Sequence, residues 1–508
     1  MTRRRTAFSV VALTALAGSA LAAGTPALAQ EDAPGQQTGK AKNIILLIGD
    51  GMGQTHVDAT RIRYYGAAGR LNMEKLPALG SVKTYAVEEG SDKPDLVTDS
   101  ASSATAWSSG VKTYNNALGK DTRGNVVATI MEQAKAAGLR TGNVSTSEIT
   151  DATPAGMFSH VSARGCQGPK FTTAACVRPS GQGANDVVIA EQIARNNTAD
   201  VILGGGLSRF EPDDEAVMRS NGYTVLGSFG DPNAATQTAT TQRVPTRSDL
   251  AGVTGPDRKV IGLFNRGNLT VEKSKEGNPS SVQAPEPSLV QMTNKAIELL
   301  STGEGAKDGF FLQVEGALID KRSHANDAAQ TLRENKEFDD AVAQAVAFAG
   351  RSKDTLVIVT ADHECTGFNI IGKGSFTNAE ATTPPGNVDS GNTANNSTPL
   401  RTSGGARDAT RSTGPVNGAG SANPKNFAPA TFRTPDDAAG VADGSPEASL
   451  WLSYLSGNHT GADVPIYAMG PGAANFDTQI DNTDIYQIMK DALKKVGEKS
   501  PGKTKGRR

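Results

Sequence analysis

Only five of the 508 residues are histidine, and three of them stand beside residues able to share a ligand with them. Asp320 and His324 are four positions apart. On a helix that is one turn, so a carboxylate and an imidazole share a face. Asp362 and His363 are adjacent. On a strand they point to opposite faces, so both reach one ion only from a turn beyond it. His459 follows Gly457-Asn458 and precedes Gly461, which is loop composition. His56 and His160 lack such neighbours and read as structural. Carboxylates with imidazoles suit Zn²⁺, whereas carboxylates with a hydroxyl and no imidazole suit Mg²⁺. Both kinds of donor are present and all are oxygen or nitrogen, so a mixed-metal cluster is one expectation.

A second feature is a serine between an acidic residue and a run of small residues, Val97-Thr98-Asp99-Ser100-Ala101-Ser102-Ser103-Ala104-Thr105-Ala106-Trp107. Asp99 and Ser100 are residues of the N-cap type, and Ala101 to Trp107 can continue as helix. A serine there faces free backbone N–H groups and the positive end of the helix dipole, a ready-made phosphate site. Taken alone, the stretch leaves open whether Ser100 is a cap or a nucleophile.

These side chains need a frame, and the apolar pattern supplies one. Asn43 to Ile48, Arg140 to Ser145, residues 200–203, Gly309 to Val314, Thr355 to Thr360 and residues 464–468 read as strands. The continuous β-branched runs among them fit strands buried on both faces. Helices are expected over 125–137, with Val126, Val127, Ile130, Met131 and Ala134 inward, and over 186–196, 288–300, 332–349 and 482–496. A turn is expected at 151–154. The alternation implies an α/β fold, a doubly wound and mostly parallel sheet sandwiched by helices. Asp50, Asp151, Glu315 and Asp362 each follow an apolar strand. Parallel strands bring such ends together, and clustered carboxylates call for cations.

Composition bounds the rest. The 51 basic and 53 acidic residues nearly balance, so no global field argues for a nucleic-acid partner. Three cysteines are too few for a thiolate zinc framework. Met1-Thr2-Arg3-Arg4-Arg5, an apolar stretch to Ala23 and Ala27-Leu28-Ala29 read as a signal peptide over 1–29. The paired arginines also fit twin-arginine export, though the spacing to Phe8 is imperfect. Export implies a secreted or periplasmic-type location, no membrane attachment once the signal is removed, and a local disulfide between Cys166 and Cys176. The expected organisation is a flexible segment over 30–42, a catalytic domain over 43–497 and a basic tail over 498–508. Residues 378–447, rich in Pro, Gly, Ser, Thr and Asn, read as a long irregular surface insertion that cannot build its own core.

NIILLIGDGMG (43–53), TDSASSATAW (98–107), GNVSTSEITDATP (142–154), FLQVEGALIDKRSH (311–324), VIVTADH (357–363) and His459–Gly461 resemble, in order, the motifs of bacterial alkaline phosphatases. The resemblance implies a phosphomonoesterase working through a phosphoserine at Ser100. It implies one zinc held by Asp320, His324 and His459, and a second by Asp50, Asp362 and His363, in contact with Ser100. Magnesium would be held by Asp50, Thr153 and Glu315, with Asp151 behind them. Arg164 would grip the phosphate and Lys321 would approach it through water. Members are often homodimers, but no interface stripe in the sequence picks that out. Glu364-Cys365 departs from enteric relatives, which carry a second histidine there that is not a direct ligand. We expect the change to tune zinc affinity or phosphate binding, with Cys365 a buried free thiol. Two alternatives stay open: a relative specific for one phosphorylated metabolite, and a non-catalytic secreted protein that binds metal or phosphate.

Overall fold

A ten-stranded sheet carries the molecule. In chain order its strands are β1 (Asn43–Gly49), β2 (Ala78–Lys83), β3 (Arg140–Glu148), β4 (Val201–Gly205), β5 (Tyr223–Val225), β6 (Lys259–Leu263), β7 (Phe310–Gly316), β8 (Thr355–Thr360), β9 (Val464–Met469) and β10 (Gln479–Asp481). Their spatial order is β10-β2-β9-β8-β1-β7-β3-β4-β6-β5. Only β9 runs against its neighbours, β8 and β2. These details come from a computed structural model that describes residues 40–177, 185–232, 241–276, 285–373 and 430–493, apart from 446 and 456. The expected signal peptide, the basic tail and most of the 30–42 segment lie outside the described residues.

The central strands explain the order. Every residue of β1, β7 and β8 is buried, as a strand covered by helices on both faces requires. Register then aligns their ends. Ile48 of β1 lies level with Thr360 of β8 and with Glu315 of β7, and Glu315 lies level with Ser145 of β3. Asp50 and Asp362 each follow their level residue by two positions, so the carboxylates arrive at one edge.

Several boundaries differ from the sequence reading. The helix expected over 125–137 covers only Ile130–Ala136, and Val126 is 63% exposed. Thr129 caps it, accepting the Glu132 N–H while the Glu132 carboxylate accepts the Thr129 N–H. That box sets the start more firmly than the preceding apolar residues do. The helix expected from 186 begins at Ile189. Asp186 is taken up by the Lys120 ammonium at 2.5 Å and the Ser162 N–H at 2.7 Å instead. The long helix starts earlier than expected, at Ala328, where the Asp327 carboxylate accepts the Gln330 N–H.

The 378–447 segment is only partly as expected. Residues 378–429 lie outside the described residues, but Ala430–Phe432 forms an edge strand against Leu450–Ser453, whose other edge pairs with Asn369–Ile371. Ala430 and Phe432 join a small apolar cluster with Ala59, Leu332, Phe368 and Leu450. A segment too polar to build a core borrows one from distant parts of the chain.

Candidate active site

Asp99, not Ser100, caps the helix Ser100–Ser109. Its carboxylate accepts the Ser102 N–H at 2.9 Å, while Ser100 is the first helical residue. Capping by Asp99 leaves the serine hydroxyl for other partners. Ser100 is 3% exposed and its Oγ lies 3.2 Å from His363 Nε2. Ser103 Oγ donates to the Asp362 carbonyl at 2.9 Å, pinning the helix start to the loop after β8.

Asp320 and His324 sit on the helix Leu318–His324 as their spacing predicts, with carboxylate and Nε2 3.2 Å apart. His459 Nε2 lies 3.2 Å from His324 Nε2 and 3.6 Å from Asp320 Oδ1. Each ring is fixed from behind. His324 Nδ1 donates to the Gly457 carbonyl at 2.7 Å and His459 Nδ1 to the Thr98 carbonyl at 3.0 Å. A ring whose Nδ1 carries the proton leaves Nε2 as a lone pair. With both Nδ1 atoms held by carbonyls, the two Nε2 atoms face each other beside the buried Asp320 carboxylate. The donors therefore fit a metal. One more atom is there: Cys365 Sγ shares the cluster, with every ligand atom of the four residues within 4.8 Å of the others.

A second group lies alongside. His363 Nε2 is 3.0 Å from Asp362 Oδ2 and 3.7 Å from Asp50 Oδ1. Asp362 Oδ1 accepts N–H bonds from Gly51 at 2.8 Å and His363 at 2.9 Å. Asp362 Oδ2 and Asp50 Oδ1 are buried without a hydrogen-bond partner among the described residues. Burial, reinforced by Asp362, Asp320 and Glu315, pushes the Asp50 carboxyl well above its usual range. Burial would raise Asp362 too, but the His363 imidazole outweighs it and holds that carboxyl at about 2. The His363 and His459 rings stack at 3.5 Å, so the two groups are neighbours.

The remaining site residues are held by ion pairs. Asp151 caps the short helix Ala152–Ala155, where the sequence suggested a turn. One Asp151 oxygen accepts from Arg164 Nη2 at 2.8 Å and the other from Lys321 Nζ at 2.7 Å. Arg164 Nη1 also reaches Asp99 Oδ2 at 3.4 Å. Burial would raise Asp151, yet the two cations outweigh it and hold it far below the usual carboxylate range. Cys166, two residues past Arg164, is bonded to Cys176. Thr153 Oγ1 is buried without a hydrogen-bond partner among the described residues. Glu315 accepts from Ser145 and, at 3.2 Å, from Ser147. Burial, helped by the Asp151 and Asp362 charges, raises Glu315 to about 7.

The family model for alkaline phosphatase matches residues 41–495. Alkaline phosphatase of Escherichia fergusonii is 38% identical over 89% of this chain and 86% of its own length. The chain belongs to the alkaline phosphatase family. Streptomycin-6-phosphate phosphatase of Streptomyces griseus is 40% identical over 64% of this chain and 73% of its own. A variant of the TAB5 alkaline phosphatase, with Mg bound in its M3 site, superposes with a TM-score of 0.59 at 26% identity, covering 90% of this chain and 99% of that one. The chain is accordingly a phosphomonoesterase of the alkaline phosphatase type, and its donor set fits the metal cofactors the family implies.

Some participants were not picked out from the sequence of this family member. Ser145 and Ser147 hold Glu315, and their alternation on β3 was the available signal, since residues two apart share a face. Asp99 tethers Arg164. Glu364 accepts from Thr460 and from the backbone N–H groups of Gly367 and Phe368, tying the loop after His363 to the strand of His459. His56 and His160 stay structural. His56 Nε2 meets Ser323 Oγ at 3.1 Å, and His160 bridges Glu132 and the Gly119 carbonyl.

Proposed function

We propose that the chain is an exported, metal-dependent phosphomonoesterase that works through a phosphoserine at Ser100. The observation that carries this reading is Ser100 Oγ, uncapped and 3.2 Å from His363 Nε2, on the helix whose cap residue tethers Arg164. Asp320, His324 and His459 would hold one zinc ion, and Asp50, Asp362 and His363 a second, with Ser100 beside it. Asp50, Thr153 and Glu315 would hold magnesium, with Asp151 behind. Such ions supply Lewis-acid stabilisation of the serine alkoxide and of the leaving-group oxygen.

The chain's own groups do the rest. Ser100 Oγ attacks phosphorus, the ester P–O bond breaks and the alcohol leaves; water then cleaves the phosphoserine to inorganic phosphate. The first turn of the helix Ser100–Ser109 presents its positive dipole end to the phosphate. Arg164 offers a planar fork to two phosphate oxygens. Its contact to Asp99 is the longer one and is the one to be given up, while Asp151 keeps the guanidinium aimed. Recognition that stops at the phosphate supports a broad range of monoesters. The 40% identity to an enzyme named for streptomycin 6-phosphate favours one second reading, specificity for a single phosphorylated metabolite. A panel of chemically diverse monoesters separates the two.

Ser100→Ala should abolish both turnover and the phosphorylated Ser100 peptide seen by mass spectrometry after acid quench. Unchanged turnover in that variant sinks the mechanism. Phosphate release when zinc is restored to metal-stripped protein distinguishes an enzyme from a mere binder. Export rests on the N-terminal pattern and is checked by sequencing the mature N-terminus. A homodimer rests on the family alone, and light scattering decides it. No helix among the described residues is long and apolar enough to cross a membrane.

A further inference from the structure

We propose that Cys365 supplies a sulfur ligand to the ion held by Asp320, His324 and His459, making that site a four-donor site of one oxygen, two nitrogens and one sulfur. The proposal rests on the metal-dependent reading above and adds a ligand to it.

The local geometry argues for it in three ways. Glu364–Cys365 pairs antiparallel with His459–Thr460, and Cys365 stands directly opposite His459. Directly opposed residues of an antiparallel pair put their side chains on the same face. The other pair obeys the rule visibly, since Thr460 Oγ1 donates to the Glu364 carboxylate. Cys365 Sγ accordingly shares a face with the His459 ring, and its distances to the ligand atoms of Asp320, His324 and His459 are all within 4.8 Å.

Second, the thiol is boxed in. Cys365 is fully buried, its N–H donates to the Gly51 carbonyl at 3.2 Å, and its Sγ lies 3.9 Å from the Asp320 carbonyl. A Cβ added to Gly51 would sit 2.8 Å from Cys365 Cβ and 2.9 Å from Asp320 Oδ1. The glycine thus lets the loop after β1 close over sulfur and carboxylate together. Thr366, the next residue, has φ +73°, a conformation costly for a β-branched side chain. The chain accepts that strain immediately after the sulfur.

Third, the cluster that the sulfur shares holds an acceptor without a partner. Asp320 Oδ1 is buried without a hydrogen bond among the described residues, and the Nε2 atoms of His324 and His459 face each other at 3.2 Å in the same cluster. One carboxylate, two imidazoles and one thiolate are donors that suit tetrahedral Zn²⁺. Ligation replaces the S–H bond with a sulfur–metal bond and releases the proton to solvent, with no change of oxidation state. Sulfur also shifts the site toward softer ions than the oxygen-rich group around Glu315 would select. With four protein donors in place, a phosphate oxygen must either expand the coordination or displace the sulfur.

The test uses full-length protein stripped by chelator and reloaded with Co²⁺ alone. Wild type is expected to show visible d–d bands and an intense near-ultraviolet thiolate-to-cobalt band. Cys365→Ser and Cys365→Ala should keep the d–d bands and lose the near-ultraviolet one. Assignment is unambiguous because the other two cysteines form the disulfide. Both variants should also give up the ion to chelator at least about tenfold faster. Wild-type spectra with d–d bands but no charge-transfer band overturn the ligand proposal, and that outcome needs no variant to fold. A band that persists in both variants overturns it as well. Absence of any cobalt spectrum in wild type instead overturns the metal-dependent reading beneath it.

Discussion

The two proposed ligand groups are built by opposite strategies. Asp50, Asp362 and His363 follow two adjacent parallel strands whose register is fixed along their whole length. Asp320, His324 and His459 combine one helical turn with a residue of a two-residue strand set in loops, 135 positions beyond His324. The first group inherits its geometry from the sheet. The second depends on a two-residue pairing, Glu364–Cys365 with His459–Thr460, and on carbonyls that orient each imidazole. A strand-edge group should tolerate disturbance of its surroundings and fail when a ligand is lost. The loop-built group should fail gradually, through weakened metal binding.

Asp50→Asn should do the most damage. Asp50 lies 3.7 Å from His363 and feels the charges of Asp362, Asp320 and Glu315, so on the proposed metal assignment one change removes charge from more than one site. We expect kcat/KM to fall by roughly 10³-fold or more, with no recovery at raised zinc. His459→Gln should cost less, about 10²-fold at limiting zinc, with much of it recovered when zinc is raised. Steady-state kinetics against zinc concentration for both variants check the contrast; equal rescue of the two would erase it.

Legibility in the sequence divides along the same line. Thr355–Thr360 was read to the residue, because a continuous β-branched run between polar ends has one solution in a buried parallel sheet. Strand-end carboxylates came with it, since parallel register gathers them. β2 was not legible. Leu79 is 59% exposed, and Gly80 is there because a Cβ would lie 2.2 Å from the Phe476 and Thr478 carbonyls, so backbone approach rather than side-chain alternation defines the strand. The placement of Cys365 beside His459 was equally hidden, because a pairing of two residues leaves no periodicity to read. Asp320 with His324 was visible through helical spacing alone. The grip of Ser145 and Ser147 on Glu315 needed the β3–β7 register as well.

A third substitution probes what the two groups share. Asp151 receives Arg164 on one oxygen and Lys321 on the other, and it belongs to neither of the two tight ligand groups. Asp151→Asn removes the charge that aims both cations. KM for a monoester should rise by about tenfold, with kcat changed less, because the fork is still present but no longer held. Inhibition by inorganic phosphate should weaken in parallel. A change in kcat alone would show that Asp151 acts on the metal side instead.

The smallest effect concerns the support behind the loop-built group. Glu334 lies on the helix Ala328–Arg351, whose Leu332 anchors the small apolar cluster with Phe368 and Leu450. It is 4% exposed, and its Oε1 accepts the Glu272 N–H at 2.6 Å. Burial, with the Glu272 charge adding to it, raises its carboxyl to about 8. In the unfolded chain Glu334 ionises near pH 4.5, its ordinary value, while in the folded protein it keeps its proton to about 8. The folded state therefore binds more protons between those values. The group's penalty is absent below about pH 4.5, grows as pH rises and levels off above about 8. Glu334→Gln preserves the acceptor oxygen and removes the titration. The variant should match wild type in Tm near pH 4 and exceed it by several degrees at pH 9, the stability difference being at most about 5 kcal/mol. A pH-independent difference in Tm would mean that Glu334 is already charged in the folded protein. If the loop-built group leans on this helix, Glu334→Gln should also slow zinc loss from it at pH 9. Thermal melts and chelator release at the two pH values test both statements together.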